Sequence, residues 1–183
     1  VKDGMIIAPS FRNDIEHQAD ISEEIARFYG YDKIPDRALS GVADGRYTDE
    51  QILEKKVNEA MLSAGYSEVC TYTFISPKEF DKIMLPKDSE LRNCVVISNP
   101  LGEDTSVMRT TAIPSILQVL SKNYNNRNAE AAIYEIGPVY KSNGTEELPD
   151  EPSLVTIGLY GEKYDFFNIK GVVETVMNAV GIK

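Results

Sequence analysis

Four acids stand close together in DIEHQADISEEIARFYGYDKIP, positions 14–35: Asp14, Asp20, Glu23 and Glu24. Carboxylate oxygens are the ligands a hard divalent cation such as Mg²⁺ accepts. The spacing suits a shared site, because on an α-helix Asp20, Glu23 and Glu24 fall within an arc of about 100°. Asp14 precedes that helix and can fold back beside them. A simpler role is open to the same residues. Asp20 fits an N-cap with Glu23 completing a capping box three residues on. Acids in a first turn suit the helix dipole, and Glu23 can pair with Arg27 at i+4. His17, the one histidine, has no ligand spacing around it and is assigned no role.

The elements that must position these groups follow from periodicity. Ile21, Ile25, Phe28 and Tyr29 predict a short helix over 20–29, with Gly30 at the position of a left-handed cap. Before it, residues 1–13 read as a strand and a proline-marked turn. After it, residues 30–47 show no periodicity and several breakers. This places a linker at 39–47, between a first unit, 1–38, and a second, 48–183. The second opens with a capping box, Thr48 and Gln51, and an apolar helical stripe of Leu53, Val57, Ala60, Met61 and Ala64. VCTYTFI alternates as a half-buried strand with Cys70, Tyr72 and Phe74 on one face. Ser76, Pro77 and Glu79 begin a short helix. NCVVIS and SVMRT read as strands. Ile113, Ile116, Leu117 and Leu120 mark a helix with Pro114 in its first turn. AAIYEIGPVYKSNGT reads as a strand entering a turn at Asn143-Gly144, LPDEP as a loop and SLVTIGLYG as a returning strand. A last helix is capped by Asp165 and carries Ile169, Val172, Val173, Val176 and Val180. The strands are not separated by regular crossover helices, which predicts an α+β fold: a largely antiparallel sheet flanked by helices.

Composition narrows the chemistry. The 183 residues are 42% apolar, enough for a core, and carry a net charge of −10. An acidic surface of this size is a poor grip for a phosphate backbone. Cys70 and Cys94 have no metal spacing and fit a reducing compartment as small buried hydrophobes. No stretch approaches the length needed to cross a bilayer, and no signal segment opens the chain. The opening VKDGMIIAPSFR, without an initiator Met, and the close MNAVGIK, just after a helical pattern, are what a piece of a longer protein would show. A Ser/His/Asp arrangement is not available to a single unsupported histidine.

The segment PSFRNDIEHQADISEEIARFYGYDKIP resembles the end of the domain preceding the synthetase-like core in the β subunit of bacterial phenylalanyl-tRNA synthetase. NPLGEDTSVMRTTAIPSILQVLSKNYNNRN, IYEIGPVY and DFFNIKGVVE resemble successive segments of that core. The resemblance runs in order over nearly the whole chain. It implies a class II aminoacyl-tRNA synthetase-like core that is non-catalytic, with ATP and phenylalanine held by the α subunit. It also implies an α2β2 assembly in the cytoplasm, with tRNA bound through domains outside this piece. Asp14, Asp20, Glu23 and Glu24 match, type for type, four acids that in this family bind Mg²⁺ at a site shared with the α subunit.

The residues bear on catalysis independently of that likeness. An active class II site needs an arginine after the EIG strand to clamp the α-phosphate. YEIGPVYK places Lys141 there, and lysine, a point charge, cannot make the planar two-pronged contact. Arg109, between a strand and a helix start, has a setting that suits an anion, but no other phosphate-cradling element accompanies it, and a structural role is expected. The competing reading is a self-sufficient class II-like adenylating enzyme.

Overall fold

The computed structural model describes residues 4–38, 40–41, 44–144 and 148–182, and the chain divides into two compact units, Val1–Gly45 and Arg46–Lys183.

The first unit is built on one helix, α1 (Gln18–Tyr29). It starts two residues before the expected position. Asp20 is the third helical residue rather than the cap: its Oδ2 accepts from the backbone N–H of Glu16 at 2.9 Å and of His17 at 2.7 Å. Two otherwise orphaned donors are thereby satisfied. The helix ends at Gly30, whose φ of 101° favours a residue without Cβ. A Cβ there would also stand 2.6 Å from Asp32 Oδ1. The turn at Pro9 is present, with Arg12 N–H donating to its carbonyl. The strand expected over 1–13 does not form in residues 4–13, and residues 1–3 lie outside the described residues. So do Leu39, Val42 and Ala43 of the expected linker.

The second unit is organised around β4 (Ala131–Pro138). It pairs antiparallel with β5 (Ser153–Tyr160) over eight residues, from Ala131↔Tyr160 to Pro138↔Ser153. On its other side it pairs parallel with the two-residue β1 (Ser67–Glu68). A separate antiparallel pair joins β2 (Phe74–Ile75) to β3 (Val107–Met108). The α+β class holds, but the sheets are small and one is mixed, not the larger antiparallel sheet expected. NCVVIS contributes only an isolated bridge, Val96↔Val107. At the turn expected at Asn143-Gly144 the chain bends at Gly144, φ 73°, and residues 145–147 lie outside the described residues.

Alternation along β4 sends successive side chains to opposite faces. Tyr134, with Ala132 and Ile136, packs on Val57 and Met61 of α2 (Asp49–Ser63) and Val172 of α5 (Phe166–Ala179). Ile133 and Ala131 pack on Ile116 and Leu120 of α4 (Ile113–Asn125). Helices thus cover both faces. The caps are those the sequence announced. Thr48 and Gln51 cap each other's backbone N–H at α2. Asp165 Oδ1 accepts from Phe167 and Asn168 N–H at α5. Pro114 sits in the first turn of α4, where its missing N–H costs nothing. The one-turn α3 (Glu79–Lys82) follows Ser76, whose carbonyl accepts from Glu79 N–H.

The strand expected from VCTYTFI is broken, and the face shared by Cys70, Tyr72 and Phe74 is the exposed one. Residues 70–73 are outside any strand. Thr71 and Ile75 turn inward, whereas Cys70, Tyr72 and Phe74 are exposed. The cause is polar: Thr71 is drawn in by Glu135, which accepts from its N–H at 3.2 Å and its hydroxyl at 2.7 Å. Fixing one residue's direction fixes the parity of its neighbours. Cys70 is therefore not a buried hydrophobe, and Cys94 is half-buried, with burial pushing its thiol up.

Gly158, opposite Ile133, lets α4 approach β5. A Cβ there would lie 2.6 Å from Ile116 Cγ2 and 2.9 Å from Leu120 Cδ1. Gly158→Val should destabilise the second unit by about 1–3 kcal/mol through overpacking, seen as a lower urea midpoint with an unchanged slope.

Candidate functional site

In the first unit the acid cluster is arranged around a cation the sequence reading overlooked. Arg12 is partly buried, and its Nη2 lies 2.6 Å from both Asp14 Oδ2 and Glu24 Oε1. Its Nε donates to Asp14 Oδ1 at 2.9 Å. Arg27 donates to the other oxygen of Glu24 at i+3. The pair expected between Glu23 and Arg27 is therefore made by Glu24. Glu23 is exposed, and among the described residues its carboxylate carries no hydrogen bond or ion pair. So Asp14 and Glu24 are brought together, Asp20 is engaged in the helix cap, and Glu23 stands open on the same helix. Among the described residues no three His, Cys, Asp or Glu side chains already form a metal-holding group. The signal for Arg12 was present in the sequence. It is the one Lys or Arg between Lys2 and Arg27, in a stretch dense in acids.

The electrostatics follow from these contacts. The Arg12 guanidinium holds the Asp14 carboxyl down at about 2. Glu24 is lowered chiefly by the same guanidinium, and Asp20 by the His17 and Glu16 N–H groups. All-carboxylate donors suit a hard divalent ion. A guanidinium already bridging two of them shows that this surface accepts positive charge.

In the second unit Arg109 is buried to 1% exposure and serves the fold. Its Nη1 donates to Glu135 Oε1 at 2.8 Å and to Thr71 Oγ1 at 2.9 Å, and its Nε to the Pro138 carbonyl at 2.9 Å. Its backbone joins the same elements, with N–H donating to Thr73 and the carbonyl accepting from Tyr140. Gly137 leaves room for this: a Cβ there would meet Arg109 Nη2 at 2.7 Å. The guanidinium is thus spent inside the protein. Lys141 lies beyond the end of β4, exposed, in a backbone bridge with Asp150. Beside the network opens a cleft of about 920 Å³. Among the described residues its lining holds one cation, Lys122, against Glu79 and Asp104. That balance does not suit a triphosphate.

Two solved structures of pyrrolysyl-tRNA synthetase from Desulfitobacterium hafniense share this fold. One has a TM-score of 0.58 at 18% identity, covering 90% of this chain and 54% of that chain. The other has a TM-score of 0.59 at 19% identity, covering 98% and 62%. At that identity the likeness speaks for the fold alone. The family is narrower. Residues 34–183 match the phenylalanyl tRNA synthetase beta chain CLM domain, and residues 2–31 match the tRNA synthetase B5 domain. The chain belongs to the phenylalanyl-tRNA synthetase β chain family. Phenylalanine–tRNA ligase β subunits from Clostridium acetobutylicum and Clostridium tetani are each 44% identical over 97% of this chain. That from Carboxydothermus hydrogenoformans is 38% identical over 95% of it. The chain spans only 22–23% of the length of these relatives.

Two predictions follow from the geometry. Removing one partner of a buried ion pair leaves the other charge uncompensated, at a cost of about 3–5 kcal/mol. Arg109→Met should lose stability on that scale in urea unfolding. Adding Glu135→Gln should recover part of the loss, because Gln keeps an acceptor for Thr71 and removes the stranded charge. In the first unit the shifts set a pH window. Asp14, Asp20 and Glu24 titrate lower folded than unfolded, so their contribution is present above an unfolded pKa of about 4. It is lost as pH falls toward 2. Amide protection in α1, taken relative to the intrinsic exchange rate at each pH, should fall over that interval, and in Arg12→Gln the fall should begin nearer pH 4.

Proposed function

We propose that this chain is the non-catalytic core segment of a phenylalanine–tRNA ligase β subunit. It scaffolds assembly with the catalytic α subunit, in an α2β2 enzyme of the cytoplasm that charges tRNA with phenylalanine at the expense of ATP. Residues 1–38 form the end of the domain preceding the core, 39–47 a linker and 48–183 the core. Family membership supports the setting. The observation that carries the non-catalytic reading is the state of the two basic groups: Arg109 is locked in a buried ion pair, and Lys141 stands where a clamp arginine would be needed. ATP belongs to the α subunit, and tRNA is met through parts of the protein outside this chain. Among the described residues no helix is long and apolar enough to cross a membrane.

In the same reading Asp14, Asp20, Glu23 and Glu24 hold Mg²⁺ at the contact with the α subunit. When bound, the ion supplies positive charge that ties carboxylates of this chain to groups of its partner. Asp14 and Glu24 already converge on a cation, Asp20 retains Oδ1, and Glu23 is open. Mg²⁺ gives up its waters reluctantly, so an exposed quartet binds it weakly until an interface closes around it.

A self-sufficient adenylating enzyme is the competing reading. Phenylalanine-dependent ATP–pyrophosphate exchange by this chain separates the two: none is expected, and sustained exchange would replace the scaffold reading. The metal role is tested with Glu23→Gln and Glu24→Gln together, which keep size and remove charge. Co-purification with an α subunit should weaken, and added Mg²⁺ should no longer strengthen it. Unchanged, equally Mg²⁺-responsive assembly would leave the two acids as helix-surface residues.

A further inference from the structure

We propose that Arg12 is the resident counter-cation of the acid cluster, and that a divalent ion gains Asp14 and Glu24 only by displacing it. The inference rests on the metal reading above and adds a competitor within the chain. One nitrogen, Arg12 Nη2, touches an oxygen of each carboxylate at 2.6 Å, and Nε spans both oxygens of Asp14 at 2.9 and 3.1 Å. Glu24's second oxygen is taken by Arg27. Both oxygens of Glu24 and both of Asp14 thus already accept from a guanidinium. Mg²⁺ binds carboxylate oxygen at about 2.0–2.1 Å. Because Nη2 lies 2.6 Å from both Asp14 Oδ2 and Glu24 Oε1, an ion at that distance from either oxygen would stand within about 4.7 Å of a like charge. Coordination by both residues and the Arg12 bridge thus compete for the same oxygens. Asp20 and Glu23 face no such competition, since the Asp20 cap uses Oδ2 alone and Glu23 is unengaged. The ion is expected to meet Asp20 and Glu23 first and to recruit Asp14 and Glu24 as Arg12 leaves.

Removing a unit charge about 4 Å from a cation site in water changes affinity by about fivefold, and more for a divalent ion. The test is a Mg²⁺ titration of the chain followed by amide and arginine Nε–H resonances. In the unsubstituted protein the Arg12 Nε–H should move to the solvent-exchanging state as the amides of Asp14 and Glu24 shift. Arg12→Gln should half-saturate at a Mg²⁺ concentration about fivefold lower, or lower still. Arg12→Lys keeps the charge but not the two-pronged grip, so it should fall between them. If the Gln variant does not fold, the Lys variant decides: tighter binding than the unsubstituted protein supports the displacement, and equal or weaker binding overturns it. The proposal also fails if Arg12→Gln binds no better, or if the Arg12 resonance stays put while the Asp14 and Glu24 amides respond. The metal reading is judged separately, on whether assembly with the α subunit responds to Mg²⁺ through Glu23 and Glu24.

Discussion

The buried Arg109–Glu135 pair is the constraint on which the second unit depends. Glu135 lies on the central strand and turns toward the face that α4 covers. A carboxylate there is tolerable only with a cationic partner and a donor on each oxygen. Arg109 and both donors of Thr71 supply them. Satisfying this one group brings β3, the 71–73 segment and the end of β4 together, which otherwise share only two-residue pairings and single bridges. It also dictates Gly137, because the guanidinium passes where a Cβ would sit.

The same pair separates fold from chemistry. A planar guanidinium suits a phosphate when its donors are free to present to it. Here the arginine is buried and held by Glu135, Thr71 and the Pro138 carbonyl, and it contributes to the architecture. The exposed basic group near the end of the central strand is a lysine, and the neighbouring cleft carries more negative than positive charge. This disposition of the basic groups is what favours the proposed scaffold role.

The first unit follows the opposite logic. None of its helix is buried, and its order comes from charge: one carboxylate on backbone N–H groups and two on guanidinium groups. Exposed ion pairs contribute little individually, so such a cluster can exchange one cation for another at small cost. A buried pair such as Arg109–Glu135 cannot.

What the sequence by itself determined is what neighbours along the chain decide. The Thr48 and Asp165 caps, the first-turn proline of α4 and the glycine after α1 are satisfied within a turn or two of backbone. The four acids were also legible as a group able to take a cation. Tertiary structure alone decided which cation is met first, because the bridge from Arg12 to Glu24 spans twelve positions. It set Arg12 against Glu24, the carboxylate that also meets Arg27 at i+3. It decided that Cys70, Tyr72 and Phe74 face outward. Alternation announces that every second residue is buried but not which set. Here the choice fell to a hydrogen bond between Thr71 and a carboxylate 64 residues away.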